Sequence, residues 1–262
     1  MTELRAGLEA LYASCDFQAR LATDPVRFPR RYSDPGDIEV AGFLAATYAF
    51  GRVELFGAVL ERLLASMGPS PRDFVETYDG ASLASFEYRW LKAARLQALI
   101  RSMRLVLAER GSLEAVAVEA FDGGLASCLE ALGDALGPEV ARPSKGSACK
   151  RMCMWLRWMV RPPTEGIDLG TWDLPSSALV VPLDTHVARI ARLVGLTTRK
   201  TDGWRTALDI TRGLSELDPV DPVRFDFAIA HLGISGACRG SHDAELCPPC
   251  SLRGSCSAGG SA

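Results

Sequence analysis

The sequence predicts an all-α fold, and three observations carry that expectation. Apolar residues recur at three- and four-residue spacing over most of the 262 residues, the period of a helix buried along one side. Pro, Gly and Asp cut this pattern into segments of helical length. Only residues 179–181 read as a short strand.

In order, Leu4, Leu8, Leu11, Tyr12 and Cys15 place an amphipathic helix over 3–22, and a loop holding Pro25, Pro29, Pro35 and Gly36 follows. Asp37 is expected to cap an apolar helix through Ile38, Val40, Phe43, Leu44 and Tyr48. After Gly51 the period resumes over 53–67, Pro69 and Pro71 interrupt it, and a helix starts near Asp73. Helices are expected over 89–109 and 112–121. Beyond Gly123-Gly124 another runs over 125–136. Residues 137–149 form a turn-rich connector, and the helix over 150–160 stops at Pro162-Pro163. An irregular loop over 164–182 leads to Asp184, which opens a helix over 185–194. Helices over 204–217 and, after Asp221-Pro222, 222–233 complete the set. The expected division is an N-terminal helix and connector (1–36), a central lobe (37–150), a second lobe (151–237), a cysteine loop (238–256) and a disordered tail (257–262).

With 48% apolar residues and a mean hydropathy of +0.08, the chain has enough material for a core. It has no apolar run of the roughly 18 residues that a membrane span needs. Residues 1–20 mix acids and bases and lack the apolar stretch of a signal peptide, so a cytoplasmic monomer is expected. The net charge of −3 argues against a uniformly basic protein. Between 142 and 161, however, six bases (Arg142, Lys145, Lys150, Arg151, Arg157 and Arg161) meet no acid, which reads as a surface for phosphates.

The closing pattern Cys238-x8-Cys247-x2-Cys250-x5-Cys256 carries the most chemistry. Four thiols with 17 residues between the outer pair read as ligands of one centre, an iron–sulfur cube or a zinc ion. Two local disulfides are the alternative, disfavoured where nothing else looks secreted. Cys15, Cys128, Cys149 and Cys153 read as small buried side chains.

Together, Pro182-Leu183-Asp184-Thr185-His186-Val187 and these cysteines resemble the helix-hairpin-helix DNA glycosylases of the endonuclease III superfamily. In that superfamily a V-D-T-H-like segment starts a helix and a C-x6-C-x2-C-x5-C loop ends the chain on a [4Fe–4S] cluster. Here the first gap is two residues longer. Gly146-Ser147-Ala148-Cys149-Lys150 stands where the hairpin L-P-G-V-G-x-K-T is expected, with its second glycine missing. The enlarged gap between Lys150 and Asp184 is similar to that of the archaeal 8-oxoguanine glycosylases. The run from Lys150 to Arg161 resembles a bacterial branch of the same superfamily, and the whole resemblance spans about residues 40–256.

The resemblance implies a two-lobed glycosylase-like fold with a C-terminal cluster loop, and excision of a damaged purine, 8-oxoguanine first, from double-stranded DNA. Lys150 would attack C1′ of the deoxyribose and Asp184 would stabilise the sugar. The two would face each other in a cleft between lobes. Cys238, Cys247, Cys250 and Cys256 would hold the cluster. Gly146, Ser147, Lys145, Arg151, Arg157, Arg161, Arg239 and Arg253 would meet DNA, and Phe50 or Arg52 would fill the gap left by a flipped base. Plainer roles exist for several of these residues. Lys150 could bind only phosphate, Asp184 could serve only as a helix cap, and Phe50-Gly51-Arg52 could be a helix corner. His186 and His242 read as local contacts, His231 as a core histidine, and Tyr88, Arg89 and Trp90 as core packing, with stacking in a base pocket as their other reading. A monofunctional glycosylase using water activated by Asp184 and a non-catalytic iron–sulfur nucleic-acid binder are the alternatives.

Overall fold

A computed structural model describes every residue except 1, 81, 82, 84 and 260–262. Among the described residues the chain is all-α, with twelve α-helices and no strand. Residues 179–181 are extended without a pairing partner, so the short strand expected there is absent. No helix among the described residues is long and apolar enough to cross a membrane.

Two compact units emerge, each discontinuous in sequence. One comprises Met1–Asp16, Gly146–Cys153 and Pro175–Ala262; the other comprises Phe17–Lys145 and Met154–Leu174.

The first unit holds α1 (Thr2–Ala13), α10 (Thr185–Leu193), α11 (Trp204–Ser215) and α12 (Asp226–Ile234). The single helix expected over 3–22 is broken after Ala13. Ser14 bonds back to the Leu11 carbonyl at 2.9 Å, and α2 (Phe17–Leu21) begins afresh. The buried face of α10 is Val187, Ala188, Ile190 and Ala191, and α10 packs on α12. That packing needs Gly233, because a Cβ there would fall 2.7 Å from the His186 Cβ. α12 starts four residues later than Asp221-Pro222 predicts, since 222–225 form turns.

The second unit is built around α3 (Pro35–Tyr48), which is almost wholly buried. Its cap is Asp34, whose carboxylate accepts the Gly36 and Asp37 N–H groups, and not Asp37 as the sequence suggests. Asp37 and Glu39 instead reach sideways to cap two other helices. Asp37 accepts from Ser70 and from the Arg72 N–H at the start of α5 (Pro71–Glu76). Glu39 accepts the Leu113 and Glu114 N–H groups of α7 (Leu113–Glu119) at 2.9 and 2.8 Å. The unit also contains α4 (Val53–Met67), α6 (Ala93–Arg110) and α8 (Leu125–Leu136), with α7 packed against α6 and α8.

α9 (Lys150–Val160) opens in the first unit and closes in the second. Its later turns pack Trp155 edge-on to Phe43 and to Trp172, a fully buried aromatic cluster. Arg157 and Arg161 lie on the same stretch, only 3% exposed at their side chains, and both donate to the fully buried Asp168 at 2.8 Å. Glu165 completes the group on Arg161 at 2.9 Å. These two arginines therefore do not form the phosphate surface that the base-rich run suggests. Their counter-charges come a few residues later, in the irregular loop, and the pairs are shielded from solvent.

A four-cysteine loop and a Lys–Asp pair

Asp184 caps α10 with one oxygen. Its Oδ1 accepts the His186 and Val187 N–H groups at 2.9 and 2.8 Å. The other oxygen, Oδ2, faces Lys150 Nζ at 3.6 Å. The Lys150 side chain is 42% exposed and that of Asp184 16%, so the amine reaches solvent while its partner is largely enclosed.

Lys150 is the first residue of α9, reached through a tight turn. Gly146 takes φ +75°, natural for glycine, but Cys149 takes φ +51°, a left-handed conformation that side chains rarely adopt. The Cys149 N–H donates to Ser147 Oγ at 3.1 Å, and the Gly146 carbonyl accepts from Trp204 at 3.4 Å. Strain held this way, one residue before a charged side chain, is a recurring mark of functional sites.

The four closing cysteines are free thiols, and all four line one small cavity that is partly open to solvent. Burial pushes the Cys250 thiol up, the Leu252 N–H pulls it down, and the other three sulfurs raise it again. Asp243 shapes the loop by accepting the Glu245 and Leu246 N–H groups, while its own N–H donates to Cys247 Sγ at 3.3 Å. Among the described residues no group of three or more His, Cys, Asp or Glu side chains is arranged to hold a metal ion.

The loop is tied to α10 at two points. Arg189 Nη2 donates to the Cys238 carbonyl at 2.8 Å, and the Ser257 N–H donates to the Leu193 carbonyl at 2.8 Å. α1 packs against the turn at Arg253–Ser255. Residues 257–259, expected as the start of a loose tail, are thus bonded; 260–262 lie outside the described residues.

Other expected site residues are scattered. Arg239 pairs with Asp243 at 3.3 Å, and Arg253 Nε donates to the Gly259 carbonyl; both line the cysteine cavity. Gly146, Ser147 and the half-buried Arg151 flank Lys150 in the first unit. Lys145, Phe50 and Arg52 belong to the second unit, as does Arg142, which pairs with Asp134. His186 Nδ1 lies 3.3 Å from Arg189, and His242 Nδ1 lies 3.2 Å from the Ala258 carbonyl, both local contacts. His231 lies 4.3 Å from Phe227 with the rings tilted, and it is half-buried. Tyr88, Arg89 and Trp90 are not in the core.

Sequence reasoning missed Arg189 and Asp168. Arg189 was detectable as a cation among the apolar positions of the helix over 185–194. Asp168 was detectable as an acid just beyond the six bases.

Comparison with known proteins gives one family, described as a protein of unknown function (DUF2400), whose model matches residues 24–235. The chain belongs to that family. No curated protein matches it. No helix-hairpin-helix glycosylase family matches either, which corrects the superfamily resemblance and the bacterial and archaeal branches drawn with it. The residues behind that resemblance are short and generic. Asp184-Thr185-His186 is a helix cap, a solution that unrelated helices share, and the cysteines fall beyond the matched span.

Proposed function

We propose that this DUF2400 member is a base-excision DNA glycosylase with AP-lyase activity, acting on double-stranded DNA that carries a damaged purine. The observation that supports this reading is the pairing of a solvent-reaching amine, Lys150, with the oxygen that Asp184 leaves out of its cap, 3.6 Å away. An amine beside a carboxylate is the minimal equipment for imine chemistry at a sugar carbon. Lys150 Nζ, once it has given up a proton, bonds to C1′ as the C1′–base bond breaks, and the base leaves with that electron pair and a proton. Asp184 takes the proton that the amine gives up and returns it to O4′ when the sugar ring opens, and the carboxylate so restored stabilises the positive charge left at C1′. Opening of the sugar ring leaves an imine. Loss of a C2′ proton then expels the 3′ phosphate by β-elimination.

Gly146, Ser147 and Arg151, with Arg239 and Arg253 on the cysteine loop, are the proposed phosphate contacts. Cys238, Cys247, Cys250 and Cys256 would hold a [4Fe–4S] cluster. The donor set fits it, with four thiols around one cavity and an N–H donor on Cys247 Sγ. Such a cluster, fully ligated by protein, would supply structure and no substrate position.

The test is base release from duplexes carrying a panel of purine lesions, 8-oxoguanine first. Release that is lost in Asp184→Asn supports the reading. Binding without release at any lesion leaves a non-catalytic binder in its place. Release that survives Lys150→Ala assigns the chemistry to water activated by Asp184.

A further inference from the structure

We propose that the corner joining α3 to α4, with the turn at Tyr88–Leu91, is a stacking site for an unpaired base of a single-stranded nucleic acid. The site lies wholly in the second unit and does not rest on the reading of Lys150 and Asp184.

Phe50 is 48% exposed, yet the ring is held in place. The Arg89 guanidinium lies 5.1 Å from its centroid and 5.7 Å from that of Tyr88. Tyr88 Oη donates to the Phe50 carbonyl at 2.7 Å, and Arg89 Nε donates to Tyr88 Oη at 3.3 Å. Two left-handed residues make this approach possible, Gly51 at φ +86° and Arg89 at φ +52°. Glycine suits that φ, and a Cβ at Gly51 would stand 2.8 Å from Arg89 Nη2 and displace the guanidinium. Arg89 bears the strain of a side chain at positive φ in an exposed place where no core packing requires it.

Charge distinguishes this corner from an ordinary apolar spot. Lys92 and Arg95 are taken by Glu87 and Glu139. Among the described residues no carboxylate pairs with Arg89 or with Arg52, which immediately precedes α4, two residues after Phe50. Next to the site, the Tyr48 ring sits 6.3 Å from Tyr88, and its hydroxyl is buried with no hydrogen-bond partner. An aromatic face, a guanidinium over the same ring and a second uncompensated guanidinium make the combination that binds a base and its phosphate. Bases within a duplex are stacked on one another and present only their edges, so the ligand must be unpaired.

The experiment uses the full chain and fluorescein-labelled single-stranded oligothymidine, as deoxyribose and ribose versions in separate arms, with a paired duplex as comparison. Phe50→Ala and Arg89→Ala are each expected to weaken single-strand binding about tenfold, the scale of one lost stacking partner, while Phe50→Trp retains it. An oligonucleotide carrying one 2-aminopurine should change fluorescence on binding to the wild type and not to Phe50→Ala. Phe50 is exposed, and an unchanged thermal melt in Phe50→Ala excludes misfolding as the cause. Equal single-strand affinities for wild type and Phe50→Ala, or a loss of duplex affinity in Phe50→Ala as large as the loss for the single strand, would overturn the proposal. So would the absence of single-strand binding.

Discussion

Arg189 donates to the carbonyl of Cys238 at 2.8 Å, so the helix that Asp184 caps also holds the first cysteine of the closing loop. A hydrogen bond from a charged donor contributes about 1.5–3 kcal/mol. Arg189→Met, which keeps much of the aliphatic bulk, should lower stability by about 2 kcal/mol. Where the proposed cluster is bound, the variant should also lose iron to a chelator faster than the wild type. Denaturant unfolding and iron content over time check both effects; unchanged iron retention would show that the helix and the loop are independent.

The carboxylate of Asp184 has two separable roles. Asn caps a helix about as well as Asp, so Asp184→Asn should unfold at nearly the wild-type urea midpoint while losing base release. Asp184→Ala should lose the activity and about 1 kcal/mol of stability as well. Equal destabilisation by both variants would mean that the charge facing Lys150 matters to the fold and not only to the site.

Asp168 sits between two buried arginines. Asp168→Asn leaves Arg157 and Arg161 short of their counter-charge and should cost about 3–5 kcal/mol, read by urea unfolding. Glu165→Gln should cost less, because Arg161 keeps Asp168.

These residues also show what the sequence could and could not reveal. Helices bounded by Pro or Gly, such as 125–136 and 150–160, were legible because those residues act locally on the backbone. The break after Ala13 was not, since no Pro or Gly marks it. Asp34 and Asp37 are both plausible caps, and only tertiary packing sends Asp37 to another helix. Arg157 and Arg161 looked like surface bases because the acid that buries them lies in a segment without periodicity. The likeness drawn from Asp184 and the cysteines misled for a related reason. A cap motif and a ligand spacing are local solutions, while family membership is carried by the whole matched segment.

Glu39 gives a pH signature. Burial is the main cause raising its carboxyl to about 7 from 4.5, against the opposing N–H groups of Leu113 and Glu114. The folded state therefore keeps a proton that the unfolded chain has released between these values. Its contribution to stability is fully present below about pH 4.5 and is lost as pH rises through about 7. The loss is on the order of 3 kcal/mol. Glu39→Gln should flatten that part of the stability profile, measured by urea unfolding across the window. An unchanged slope in the variant would assign the pH dependence to another group.

The central claim, that the amine of Lys150 attacks the sugar, is tested most directly by borohydride reduction during turnover of a lesion duplex, followed by peptide mapping of the trapped adduct. The account predicts one covalent protein–DNA species, with the mass increment on Lys150 and none formed by Lys150→Ala. An adduct that persists in Lys150→Ala, or one that maps to another lysine or to the N-terminal amine, would contradict it.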